Sequence, residues 1–186
     1  SSPTDNRVEV FSTASANTQI TGYMGMNGPA GIAVDPAGYV YVSKESGFQQ
    51  SLIRIDPDGK HGIVFAPGIG AVGLNVDSAG NLVAAEAAGE VYRYDSVTRE
   101  KTLLGRASDT SALGTMMTGV VVTDAGDVYA TDNNQSLVRK KSPTGNLMEP
   151  FSFGLTTPTA VRLGPDGNIY VANSGQAGNI VRYVPS

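Results

Sequence analysis

One short pattern, repeated four times, limits what this chain can fold into more than any other feature. It consists of an apolar run, a polar turn ending in glycine and a second apolar run. The copies are residues 31–42 (GIAVDPAGYVYV), 73–84 (GLNVDSAGNLVA), 119–130 (GVVVTDAGDVYA) and 160–171 (AVRLGPDGNIYV). Their turn glycines, Gly38, Gly80, Gly126 and Gly167, are 42, 46 and 41 residues apart. A repeat of this length is one supersecondary unit, unable to bury its apolar surface alone, so successive units must stack.

The flanking runs are short and rich in Val, Ile, Leu and Tyr, which indicates strands rather than helices. Gly supplies the positive φ of the turn, and the preceding Asp or Pro supplies the rest of its chemistry. Runs such as Tyr39-Val40-Tyr41-Val42 are apolar without alternation, so the second strand of each unit is expected to be buried on both faces. A third strand follows at residues 52–56, 91–95, 137–140 and 180–183, with Arg54, Arg93, Arg139 and Arg182 read as one recurring position. A fourth strand is expected at 62–66, 101–105 and 150–154. The last unit stops after its third strand. Near the start, residues 6–11 (NRVEVF) look like a third strand, and residues 19–23 like a fourth.

Composition narrows the function classes. In 186 residues the net charge is −4 and charged residues make up 16%. The longest basic cluster is Arg139-Lys140-Lys141, too little to neutralise a phosphate backbone, so nucleic acid is not an expected partner. No apolar run approaches a membrane span. There is no cysteine, hence no disulfide and no thiolate metal site. Few lysines and many Ser, Thr, Asn and Gly residues suggest an extracellular or periplasmic location.

The stretch from Pro29 to Val42, the Asp56-Pro57-Asp58-Gly59 turn and above all residues 157–174 (TPTAVRLGPDGNIYVANS) resemble NHL repeats. Similar repeats build the propellers of gluconolactonase-like hydrolases and streptogramin lyases. The resemblance covers about residues 28–186. It implies an all-β fold: a β-propeller of four recognisable four-stranded blades, at about 28–67, 70–107, 116–155 and 157–186, in a single domain spanning 1–186. It also implies that the ring is closed by an N-terminal strand from 6–23 or completed by a second copy, so that an unfilled blade edge would lead to a homo-oligomer.

Propellers commonly bind ligands where the loops after the second strands converge, and this implies a rim made of Lys44, Glu86, Asp132 and Asn173. Phe48 and Asn133, in loops of unequal length beyond that rim, are added as ligand-binding candidates. Variable loops on a regular scaffold are where binding usually resides. Gluconolactonase-like enzymes hold a divalent cation with carboxylates and an Asn, but the matching positions here are Ala30, Val72, Thr118 and Thr159, with no carboxylate among them. If calcium or magnesium bound at all, Glu86, Asp132 and Asn173 would be its ligands. His61 is the only histidine, sits at an outer turn and reads as a surface residue. No catalytic residue and no cofactor are therefore expected. The expected function is non-enzymatic binding of a protein, peptide or glycan. The alternative is a metal-dependent hydrolase or lactonase with an atypical site.

Overall fold

The computed structural model describes residues 7–11, 19–44, 50–86, 88–107, 116–142, 144–175 and 178–185. Among them every regular element is a β-strand, seventeen in all. By its contacts the chain divides into two compact units, Ser1–Ala71 and Val72–Ser186.

In the first unit, β1 (Arg7–Phe11) and β2 (Gln19–Met24) form an antiparallel pair. The first repeat follows as a four-stranded sheet in chain order, with β3 (Pro29–Val34), β4 (Val40–Lys44), β5 (Ser51–Ile55) and β6 (Gly62–Pro67). Val8, Met26, Val42 and Ile55 form one buried cluster, onto which Tyr23, Ile32, Val40 and Ile53 pack. The β1–β2 pair therefore lies on the face of this blade.

The second unit carries the other three repeats. One sheet is β7 (Ala71–Val76), β8 (Leu82–Glu86), β9 (Glu90–Tyr94) and β10 (Lys101–Arg106). The next is β11 (Met117–Val122), β12 (Val128–Asp132), β13 (Leu137–Lys141) and β14 (Met148–Ser152). The last has three strands, β15 (Pro158–Leu163), β16 (Ile169–Asn173) and β17 (Asn179–Tyr183). The sequence placed the fourth strand of the third blade at 150–154. It starts two residues earlier, because Met148 is fully buried and opens the pairing opposite Lys141. In the sheet order β17 stands at an edge of its own sheet, and β1 pairs with β2.

The turns explain why the repeat reads so clearly. Gly38, Gly80, Gly126 and Gly167 have φ of 88°, 83°, 87° and 75°. Each donates its N–H to the carbonyl three residues back, that of Asp35, Asp77, Thr123 or Gly164. This is the type I turn with a left-handed glycine that ends many three-residue hairpins. The turn acids accept from backbone: Asp35 from Tyr39 N at 2.9 Å, Asp77 from Asn81 N at 2.8 Å. Thr123 does the same with its hydroxyl, and where Gly164 has no side chain Asp166 accepts from Asn168 instead.

Blades of the second unit stack through glycine. A Cβ on Gly73 would come within 2.7 Å of the Gly119 Cα, and one on Gly119 within 2.9 Å of the Val161 N. Inner strands β7, β11 and β15 can lie side by side only because these positions lack side chains. The blades then share two cores. One gathers Val83, Ala85, Val91, Met117, Val120, Val128, Ala130 and Met148. The other gathers Val121, Tyr129, Val138, Leu155, Val161, Ile169 and Val171.

Strand register corrects the reading of the four arginines as one position. Arg54 pairs with Tyr41, Arg93 with Val83 and Arg182 with Tyr170. In the third blade the residue in that place is Lys140, opposite Tyr129, while Arg139 is opposite Ala130. Because strand side chains alternate, this offset of one residue sends Arg139 to the other face of its blade. There it is buried, at 9% exposure.

Candidate functional site

The second strands of the blades all run towards one end of their sheets, and the residues that end them were the expected rim. Lys44 ends β4 in the first unit, half-buried, opposite Pro29 and Ser51. Phe48 lies outside the described residues. Glu86, Asp132 and Asn173 end β8, β12 and β16 in the second unit.

Asp132 is fully buried. Its Oδ2 accepts from Arg139 Nε at 2.8 Å, and its Oδ1 from the backbone N–H of Gln135 at 3.2 Å and Met116 at 3.4 Å. Arg139 also donates from Nη1 to the Met148 carbonyl at 3.1 Å. The carboxylate thus ties the loop after β12 to its own strand, to β13 and to β14. The face switch of Arg139 is what makes this possible: only on this face does the guanidinium meet Asp132.

Glu86 has a different set of partners. Its Oε1 accepts from Lys101 Nζ at 2.9 Å and from the Tyr94 hydroxyl at 3.1 Å. The Lys101 ammonium in turn lies 3.5 Å from the centre of the Tyr92 ring, a cation–π contact. Tyr92 donates to Glu90 at 2.9 Å. Burial, then the Glu90 carboxylate, pushes the Tyr92 phenol up to about 12. Burial and Glu86 push Tyr94 still further above its ordinary value.

Asn173 is held on both sides: its Oδ1 accepts from Thr156 N at 2.6 Å, and its Nδ2 donates to Asn179 Oδ1 at 2.9 Å. Asn133 donates from Nδ2 to the Pro158 carbonyl at 3.3 Å, the same oxygen that accepts from the Thr118 hydroxyl at 3.0 Å. Ser174 donates to the Thr157 carbonyl at 2.9 Å. These bonds join the loops after β12, β14 and β16 into one surface of the second unit. Its side chains are amides and hydroxyls, with Asn134, Gln135, Thr156, Thr157, Thr159 and Ser174 exposed. Phe153, just after β14 and three residues before Thr156, is 73% exposed. Sequence reasoning singled out Asn133 and Asn173 but did not name Phe153, Thr156 and Thr157 as binding candidates, because it looked for them at the ends of the second strands and in the loops just beyond.

A hard divalent cation needs several converging oxygens. Here the Asp132 and Glu86 carboxylates each have a side-chain cation within 2.9 Å, and the Asn173 oxygen is taken by a backbone N–H. As arranged, these residues do not fit such an ion. Among the described residues, one trio of His, Asp and Glu side chains brings its ligating atoms within 4.8 Å: Asp56, Asp58 and His61. It lies on the exposed turn after β5, with His61 Nδ1 3.6 Å from Asp58. No described helix is long and apolar enough to cross a membrane.

No family model matches the sequence, and no curated protein does. Solved structures do match. Virginiamycin B lyase from Staphylococcus aureus is similar at 16% identity with a TM-score of 0.63, over 96% of this chain and 59% of that one. A gluconolactonase from Xanthomonas campestris is similar at 19% identity and 0.70, over 85% and 58%. An auxiliary nutrient binding protein from Bacteroides thetaiotaomicron is similar at 14% and 0.68, over 88% and 46%. The fold is a β-propeller. At these identities the likeness carries the fold alone, and the chain spans about half of the length of these propellers.

Proposed function

We propose that this propeller is a non-enzymatic binding scaffold, and that its ligand is a neutral glycan taken on the loop surface of the second unit. The observation that carries this reading is the state of the polar groups there. The acids at the strand ends are committed to cations and backbone inside their own blades. What faces outward is a set of uncharged amides and hydroxyls next to an exposed phenylalanine. Amides and hydroxyls match sugar hydroxyls in both donor and acceptor sense, and an aromatic face supplies apolar contact to a sugar ring. Among the described residues of the loops after β12, β14 and β16 there is no charge for a charged peptide to meet.

The similar structures include a nutrient-binding protein as well as a lyase and a lactonase, so the fold is compatible with binding and with catalysis. A metal-dependent hydrolase would require Asp132 to leave Arg139 and Glu86 to leave Lys101. The test is calorimetric titration with cello-, xylo- and malto-oligosaccharides, together with thermal unfolding in EDTA and in calcium. Saturable binding of one series, weakened by Phe153→Ala at a cost of roughly 1 kcal/mol or more, is the expected result. No binding by any series, with a calcium-dependent rise in Tm that Asp132→Asn abolishes, would replace this reading with the hydrolase.

A further inference from the structure

At the opposite end of the same blades, a cleft of about 290 Å³ opens between the second and third repeats. The Asp77–Gly80 and Thr123–Gly126 turns frame it. Its floor is Val83, Leu104, Val122 and Val128, all part of or packed against the core shared by these two blades. Arg93 on β9 and Lys141 on β13 both line it. Two cations from different blades thus line one largely apolar cleft, with the Asp77 carboxylate at its rim, and a bound anion would lower their mutual repulsion.

The register explains why Arg93 is available. In the other blades the cation at this position is engaged by the tyrosine opposite it. Arg54 and Arg182 lie near enough to the Tyr41 and Tyr170 hydroxyls to favour their ionised forms, and Lys140 lies 5.3 Å from the centre of the Tyr129 ring. In the second blade the residue opposite is Val83, which lines the cleft. Two acids stand nearby, each holding donors of its own turn. Asp77 accepts from the N–H groups of Ala79 and Asn81 and from the Asn81 side chain. Asp95, which senses the charge of Arg93, accepts from Val97 N and Thr98 N. Lys141 donates to the Ser142 carbonyl at 3.3 Å, which leaves two of its three N–H bonds.

We propose that this cleft is a second binding site, distinct from the loop surface, and that it takes a small monocarboxylate with an apolar body. The carboxylate sits between Arg93 and Lys141, and the apolar part lies on Val83, Leu104, Val122 and Val128. The inference does not depend on the glycan reading, since the two sites share no residue.

The probe is phenylacetate, with phenylacetamide as its uncharged isostere, each titrated calorimetrically into the whole chain. Phenylacetate is expected to bind saturably and roughly tenfold or more tighter than the amide. Arg93→Gln combined with Lys141→Gln is expected to bring the acid down to the level of the amide. Lys140→Gln, which changes a neighbouring cation outside the cleft, is expected to leave the acid's affinity unchanged. Equal affinity for acid and amide, no saturable binding of either, or unaltered acid binding in the double variant would each overturn the proposal. Both exchanged side chains are at the surface, so circular dichroism of the double variant should match that of the parent; if it does not, the single variants carry the test.

Discussion

Asp132 and Arg139 are the pair in which a single side chain matters most. Taking one charge out of a buried ion pair leaves the other without a partner in a low dielectric, at a cost of about 3 kcal/mol or more, whereas replacing both with apolar residues of similar volume is close to neutral. Asp132→Ala and Arg139→Met alone should therefore each lower the midpoint of denaturant unfolding strongly. Asp132→Leu with Arg139→Met should recover most of the loss, and a double variant as unstable as the singles would show that the backbone bonds from Gln135 and Met116 matter more than the ion pair. The tyrosines of the second blade give a prediction in pH. Tyr92 holds its proton to about 12 in the folded chain, above the ordinary tyrosine value of 10.0 that an unfolded chain would show. Between those two values the unfolded state binds fewer protons than the folded one, so stability is intact below pH 10 and falls as pH rises through that window. Tyr92→Phe should lessen the alkaline fall in Tm between pH 10 and 12, with Tyr94 supplying the remainder, and an unchanged slope would place the titration elsewhere.

Among the elements, two kinds of glycine separate cleanly. Gly80 has φ +83° with nothing within 4 Å of a would-be Cβ, so Gly80→Ala costs only backbone strain, about 1 kcal/mol. Gly119 has an ordinary φ, but its Cβ would strike the backbone of β15, so Gly119→Ala must push two blades apart, at about 2 kcal/mol or more. Denaturant titration of the two variants should give that order, and Gly80→Asn should lie nearer the parent than Gly80→Ala because Asn tolerates the left-handed region. The repeat was legible in the sequence because turn glycines such as Gly80 are demanded by local geometry, and local geometry is written in adjacent residues. Glycines such as Gly119 answer to another blade, and their role shows only once the blades are stacked. Register failed for a related reason. Arg139 sits beside Lys140, and nothing in the string Leu-Val-Arg-Lys-Lys says which of the two faces Tyr129. That choice is made by the Asp132 carboxylate across the pleat and by the pairing with β14. The rim positions Glu86, Asp132 and Asn173 were found by counting from the turn glycine, which works because β8, β12 and β16 keep one length. Their partners Lys101, Tyr94 and Thr156 come from strands and connections whose spacing from that glycine varies.

At the scale of the whole molecule the open question of physics is the edge of β17. Strands β5, β9 and β13 each carry a fourth strand on their outer side, and among the described residues β17 carries none. An unpaired row of N–H and C=O groups on a strand is a template for another chain unless charge, proline or a bulge blunts it. This edge is not blunted by apolar restraint: Ile180 and, just beyond the strand, Val184 are each 73% exposed, with Arg182 as the one charge between them. Backbone pairing and apolar contact would then favour the same event, addition of a strand from a second copy. Sedimentation velocity over a range of concentrations should show reversible self-association in the parent chain. Ile180→Lys with Val184→Lys places two further positive charges on the edge, leaves the inner side of the sheet untouched, and should shift the population towards monomer. A parent chain that stays monomeric at the highest concentrations would mean that the edge is covered within the chain itself. Association that survives both lysines would move the interface away from β17.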